Sequence, residues 1–125
     1  MQPRERIRKW LIDMQTCIQH IDTYLGTDRD ILEYEKNWML KRAVERELEI
    51  FGEAANRILA AEPTIAITDA RKIVNLRNLI IHSYDAVADE IIWAIIHKNL
   101  PALAVEIQFL LDNDYPEVTD DTIFP

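Results

Sequence analysis

The chain has 125 residues, of which 49% are hydrophobic and 29% are charged, a composition that excludes a disordered segment and predicts one folded domain. Its single cysteine, Cys17, excludes an intrachain disulfide and a metal site built from several cysteines. The net charge of −8 argues against a protein that coats nucleic acid through a broad basic surface, although a small basic site remains compatible with it.

Two further classes are disfavoured. The longest uninterrupted apolar run, residues 91–96, is far shorter than the roughly 20 residues that a membrane helix needs, and the first residues lack an apolar signal core. With only two glycines, the chain also lacks the turns of an all-β fold. We therefore expect a cytoplasmic, helical protein with neither a membrane nor DNA among its partners.

The first predicted element covers about residues 4–25. Its apolar side chains recur at steps of three and four, which describes one stripe of a helix. The stripe consists of Ile7, Trp10, Leu11, Met14, Cys17, Ile18, Ile21, Tyr24 and Leu25. Gly26 follows at a position that favours the end of a helix.

A second helix is predicted over about residues 30–60, and Pro63 ends it. Its clearest part is an apolar seam of the kind that helical bundles bury, formed by Val44, Leu48, Phe51, Ala55 and Ile58. Three more helices are predicted over about residues 70–84, 87–98 and 101–112. Pro101 suits the first turn of the last one.

These elements predict an all-α fold, namely an antiparallel helical bundle of four main helices plus a shorter fifth. We assign residues 1–112 to one helical domain and residues 113–125 to an extended acidic C-terminal tail. The three tryptophans occur at helical spacing, which favours core positions over base-stacking positions.

The third predicted helix carries an unusual cation. On a helical wheel, Arg77 falls between Ile73 and Ile80 on one side and Val74 and Ile81 on the other, in the middle of an apolar stripe. A guanidinium stays charged, so burying it without a partner is very costly. Arg77 must therefore be paired with a carboxylate or open into a polar cleft.

His82 lies off that stripe in a regular helix, so the two side chains do not stack. They can still converge on one small ligand, through the length of the arginine, through loosening of the helix near residues 83–85, or through a second copy of the chain. The alternative is structural, with Arg77 paired internally and His82 satisfied elsewhere.

Histidine and arginine together suit RNA cleavage without a metal. The imidazole acts as general base or acid near neutral pH, and the guanidinium holds the phosphate and stabilises the charge that develops on it. One histidine cannot be base and acid at the same instant. Two copies across a two-fold axis would supply both, which favours a homodimer with its cleft on the axis.

The segment from Arg77 to Tyr84 reads Arg-Asn-Leu-Ile-Ile-His-Ser-Tyr. It resembles the motif of the HepT-like toxins of the HEPN superfamily, in which arginine, a polar residue and a short, mostly apolar stretch precede histidine, any residue and tyrosine. Residues 43–54 resemble the second helix of that family, and residues 92–93 and 100–101 resemble its later segments.

The resemblance implies an all-helical, dimeric, metal-independent ribonuclease without a cofactor. It implies catalytic roles for Arg77 and His82 and a supporting role for Asn78. It also implies that a cognate nucleotidyltransferase antitoxin adenylylates Tyr84, which would place a phosphate where the substrate phosphate binds. The structural alternative for Tyr84 is a packed ring whose hydroxyl bonds Arg77 or His82.

A row of polar residues follows the helix face opposite the apolar seam. The row contains Arg42, Arg46, Glu49, Glu53, Asn56 and Arg57. Such rows are usually solvated and linked by pairs three or four residues apart. The row could instead line the dimer cleft, with Arg46 and Glu53 as the contributors. Asp89, near the motif, is expected to cap the next helix together with Asp85 and Glu90.

Two functions follow from these patterns. The first is a toxin ribonuclease that acts on RNA and is silenced by its antitoxin. The second is a non-catalytic helical protein that binds nucleotides or serves as a scaffold partner of a nucleotidyltransferase, with Arg77 gripping a phosphate or carboxylate.

Overall fold

The computed structural model describes residues 2–81 and 86–118, with the backbone alone at positions 77, 78, 81, 86 and 87. These residues form α1 (Pro3–Leu25), α2 (Ile31–Lys36), α3 (Trp38–Ala61), α4 (Ala70–Val74), α5 (Leu76–Ile81), α6 (Ala86–Ala94), a π-helical segment (Ile95–Asn99) and α7 (Leu100–Asn113). No strand occurs among the described residues, and the all-α prediction is confirmed.

The two longest helices, α1 and α3, pack against each other as an antiparallel pair. His20 near the end of α1 contacts Glu47 in α3, whereas Trp10 near its start shares a surface cleft with Arg57 near the end of α3. The predicted seam of α3 is buried, with every one of its five side chains at most 1% exposed. The seam of α3 and the buried residues of α1 belong to one hydrophobic core, whose burial stabilises the centre of the molecule.

Helix α7 covers another side of α1, also in the antiparallel direction. The side-chain amide of Gln15 donates to Gln108, and the Arg8 guanidinium donates to the carbonyl oxygen of Tyr115 at 2.7 Å. The beginning of the predicted tail therefore lies on the start of α1. Residues 119–125 are outside the described part of the chain, and the boundary between domain and tail stays a prediction.

Two predicted helices are each divided in the structure. Asn37 ends α2 and caps α3, because its side-chain oxygen accepts from the backbone N–H of Leu40 at 3.1 Å. Asn75 separates α4 from α5. The described residues thus form eight helical segments, and the predicted count of four main helices plus a shorter fifth is not confirmed.

The last two predicted helices are joined rather than separated. The chain passes from α6 through the π-helical segment into α7, and Pro101 lies in the first turn of α7 as predicted. By length and composition alone, the stretch Ala88–Asn113 could cross a membrane, because an 18-residue window within it has a mean hydropathy of 1.2, and 33% of that window is buried. A single such helix is weak evidence for a membrane span, because core helices of other proteins pass the same test. Ile92 and Ile107 are fully buried in the core, whereas Val105 and Phe109 are 70% and 61% exposed.

Candidate functional site

Helix α3 carries a glycine where the motif-bearing segment crosses it. A Cβ atom at Gly52 would lie 3.3 Å from the carbonyl oxygen of Ile73 and 4.0 Å from the Cβ of Leu76. The first distance is tighter than nine in ten real contacts of a Cβ atom. Gly52 therefore permits the junction of α4 and α5 to approach α3 closely.

Two predicted site residues, Arg77 and Asn78, lie on α5. Leu76 and Ile80 are buried at 6% and 7% exposure and define the face of α5 that packs inward. The structure describes only the backbone of Arg77 and Asn78, so the position of Arg77 within an apolar stripe stays a prediction.

The other two predicted site residues, His82 and Tyr84, lie outside the described residues. Helix α5 ends at Ile81 and α6 begins at Ala86, so the motif spans the junction between these two helices. The convergence of Arg77 with His82 and the role of Tyr84 remain predictions.

A buried ion pair fastens the first turns of α6 to α3. The ammonium group of Lys41 lies 2.8 Å from a carboxylate oxygen of Asp89, whose side chain is 4% exposed. Asp89 lies in the first turn of α6, where a carboxylate was expected, and it also pairs with Lys41, which lies 48 positions earlier in the chain. Because a buried carboxylate is costly without a cation, this pair fixes the start of the helix that follows the motif.

Three buried polar atoms gather near that ion pair. The hydroxyl of Tyr34 and one oxygen each of Glu45 and Asp89 have no hydrogen-bond partner among the described residues. Burial, with the nearby charges of Asp89 and Glu45, raises the pKa of Tyr34 well above its usual range. Sequence reasoning missed this cluster because its members lie on three separate helices and follow no motif.

The two predicted cleft residues, Arg46 and Glu53, lie on one exposed face of α3. Arg46 pairs with Glu49, and Arg57 pairs with Glu53, each at 3.2 Å. These four side chains line a surface cleft of about 270 Å³. Pairs at these spacings agree with a solvated row, and the cleft offers two guanidinium groups that an anion could reach.

The tryptophans do not all lie in the core as expected. Trp10 and Trp93 are half-buried, whereas Trp38 is 71% exposed at the first turn of α3. The Nδ1 atom of His97 lies 2.8 Å from the carbonyl oxygen of Trp93. Within residues 2–81 and 86–118, no three His, Cys, Asp or Glu side chains gather closely enough to hold a metal ion.

Comparison with known proteins places these features in a family. The model of the family described as Ribonuclease HepT-like matches residues 14–110, which include the whole motif from Arg77 to Tyr84 and the crossing at Gly52. The chain belongs to the HepT-like ribonuclease family. The resemblance inferred from the motif is thereby confirmed, and a ribonuclease family places RNA among the expected substrates.

A curated relative agrees with this family. The protein named "Putative RNase MJ1380" from Methanocaldococcus jannaschii is 31% identical over 87 residues, which cover 66% of this chain and 77% of the relative. No solved structure matches the chain significantly.

Proposed function

We propose that this HepT-like protein is a toxin ribonuclease that cleaves RNA without a metal ion. The observation that carries the proposal is the family match over residues 14–110, within which the arginine, histidine and tyrosine of the motif are all present. A ribonuclease needs a proton acceptor and a phosphate-binding cation, and His82 and Arg77 supply both kinds of group.

The chemistry requires only groups that the chain contains. His82 takes the proton of a ribose 2′-hydroxyl, and that oxygen forms a bond to the adjacent phosphorus atom. The bond from phosphorus to the 5′-oxygen breaks, and a protonated imidazole gives its proton to the leaving oxygen. The products are a 2′,3′-cyclic phosphate and a 5′-hydroxyl. Arg77 stabilises the negative charge on the phosphate, and Asn78 supports it with a polar contact.

A homodimer with its active site at the interface supplies the two imidazoles that this reaction uses. The motif spans the junction of α5 and α6, so a two-fold axis near that junction would bring both copies of His82 to one phosphodiester. Arg46 and Glu53 are the candidate contributors from α3, since they lie in an exposed cleft with two guanidinium groups. The acidic charge of the rest of the chain favours binding through such a local site.

A nucleotidyltransferase antitoxin is the proposed regulator. The hydroxyl oxygen of Tyr84 would form a bond to the α-phosphorus of ATP, pyrophosphate would leave, and the AMP group would place a phosphate two residues from His82 and block the position of the substrate phosphate. Intact-mass measurement after incubation with the cognate antitoxin and ATP tests this step. Added AMP on wild type but not on Tyr84→Phe supports it, and AMP at another residue contradicts it.

RNA cleavage in the presence of EDTA tests the catalytic proposal. We expect wild type to cleave and His82→Ala to lose about a hundredfold or more of the rate, the usual contribution of a general base. His97→Ala is the matched control, because the described contacts of His97 are with Trp93 and Arg29, and this variant should keep its activity. Wild type that cleaves no RNA under any condition would contradict the proposal and leave a helical scaffold.

A further inference from the structure

Three large apolar side chains near the junction of α2 and α3 are exposed. Leu32, Trp38 and Met39 have exposed fractions of 58%, 71% and 66%, and all three fall within residues 32–39. We call these three residues the α2–α3 corner. Tryptophan is among the residues that contribute most to protein interfaces, and a cluster of exposed apolar side chains of this kind is typical of a contact surface.

A cavity of about 370 Å³ opens beside the α2–α3 corner. Trp38 and Met39 line one part of it, and Trp93 from α6 and Tyr34 from α2 line another. The rings of Tyr34 and Trp93 are 5.2 Å apart. This volume is near the lower end of small-ligand pockets, roughly 300–1,000 Å³, so the cavity suits one long side chain.

The charge around the cavity is negative. Residues 22–36 contain five acidic and two basic residues, and Asp28, Asp30 and Glu33 line the cavity itself. The two basic residues, Arg29 and Lys36, also line it, but the guanidinium of Arg29 is held by the Asp22 carboxylate at 3.1 Å. The surroundings therefore attract a cation and repel a phosphate backbone.

The walls of the cavity also favour a cation. The face of a tryptophan ring attracts guanidinium and ammonium groups, and the ring of Trp38 is 71% exposed.

We propose that the α2–α3 corner docks a basic segment of another protein. An arginine or lysine of that segment enters the cavity lined by Trp38 and Trp93, and neighbouring apolar side chains cover Leu32 and Met39. The tryptophan rings and the acidic side chains would then bind the basic residue, and the exposed apolar side chains would contact its apolar neighbours. This surface is separate from the proposed catalytic residues, and the proposal does not depend on ribonuclease activity.

Calorimetric titration of the full chain with a synthetic peptide of alternating leucine and arginine tests the proposal. We expect binding that weakens at least about tenfold in Trp38→Ala, the size of effect that a buried anchor residue gives. Glu33→Lys should weaken binding as well. Phe109→Ala and Glu5→Lys are matched controls for lost apolar area and reversed charge at distant exposed positions, and both should bind as wild type.

Four results would overturn the proposal. The first is equal binding of the arginine peptide by wild type and Trp38→Ala. The second is displacement of that peptide by a single-stranded RNA oligonucleotide, and the third is equal binding of a peptide with glutamate in place of arginine. The fourth is a wild-type oligomer that Trp38→Ala converts to a monomer in light scattering, since a second copy would then cover the surface. Because Trp38 is 71% exposed, the variant should fold, which circular dichroism checks.

Discussion

The paired helices α1 and α3 differ sharply from the segment that carries the motif. The pair consists of one helix of 23 residues and one of 24, with continuous apolar seams. Helices α4 and α5 have five and six residues, and Asp69 ahead of them has a left-handed backbone, with φ of 54°. Helices this short are not stable alone. The pair is therefore held by its own periodic burial, whereas the motif segment takes its shape from contacts with α3.

The largest loss of stability is expected when the buried seam of α3 loses a large side chain. Phe51 is fully buried at the centre of this seam. Phe51→Ala should lower the free energy of unfolding by about 3–5 kcal/mol, measured by urea denaturation, because it leaves a cavity in the core. Phe109→Ala, at 61% exposure, should change it by no more than about 0.5 kcal/mol. Similar losses in both variants would contradict a core centred on α3.

The ion pair between Lys41 and Asp89 joins α3 to the helix that follows the motif, and a substitution at Lys41 removes it. Lys41→Ala leaves the Asp89 carboxylate buried without its cation and should cost about 3 kcal/mol. RNA cleavage should fall as well, since α6 follows the motif directly. Lys9→Ala breaks an exposed pair with Asp13 on α1 and should cost less than about 1 kcal/mol with cleavage unchanged. Equal effects on unfolding would show that the buried pair does not anchor α6.

Substitution of each of the two glycines tests whether the close contact at Gly52 positions the motif segment. In Gly52→Ala the new Cβ meets the Ile73 carbonyl, so we expect this contact to offset the gain of about 1 kcal/mol that alanine normally gives over glycine inside a helix, and we expect RNA cleavage to fall because α5 shifts. Gly26→Ala forces alanine to a φ of 67° after α1, with open space around it, and should cost about 1 kcal/mol. Its cleavage rate should not change. Unchanged cleavage in Gly52→Ala would contradict the positioning role of the crossing.

The last effect is confined to alkaline pH and concerns Cys17 in the buried face of α1. Burial, with the charge of Glu47 close by, raises the pKa of this thiol from 9.0 to about 12. The thiol ionises at a lower pH in the unfolded chain than in the folded chain. Wild type should therefore lose stability relative to Cys17→Ala as pH rises from 9.0 to about 12, and below pH 9.0 the difference in stability between the two proteins should not change with pH. Unfolding curves across this range measure it. Rapid reaction of native Cys17 with a thiol reagent at neutral pH would contradict its burial.

Periodicity alone was enough to predict the paired helices. The bounds of α1 agree within one residue, and the seam from Val44 to Ile58 is buried throughout. The breaks at Asn37 and Asn75 were not predicted, because each depends on a local choice between a cap and continued helix. The ion pair between Lys41 and Asp89 depends on tertiary packing, which no spacing in the sequence reveals.

The candidate site was predicted from the motif rather than from the fold. Arg77, Asn78, His82 and Tyr84 stand out by residue type and order, and the family match confirms the resemblance. The positions of Gly52 and of the cavity beside Trp38 require the packed structure, since both depend on how separate helices approach one another.

The ends of the cleaved RNA give the most direct test of the proposed reaction. Mass spectrometry of a short RNA cut by the purified protein in EDTA should show a 2′,3′-cyclic phosphate on one fragment and a 5′-hydroxyl on the other. These ends require attack by the neighbouring 2′-hydroxyl. Fragments that carry a 5′-phosphate and a 3′-hydroxyl would require attack by water and would contradict the roles proposed for His82 and Arg77.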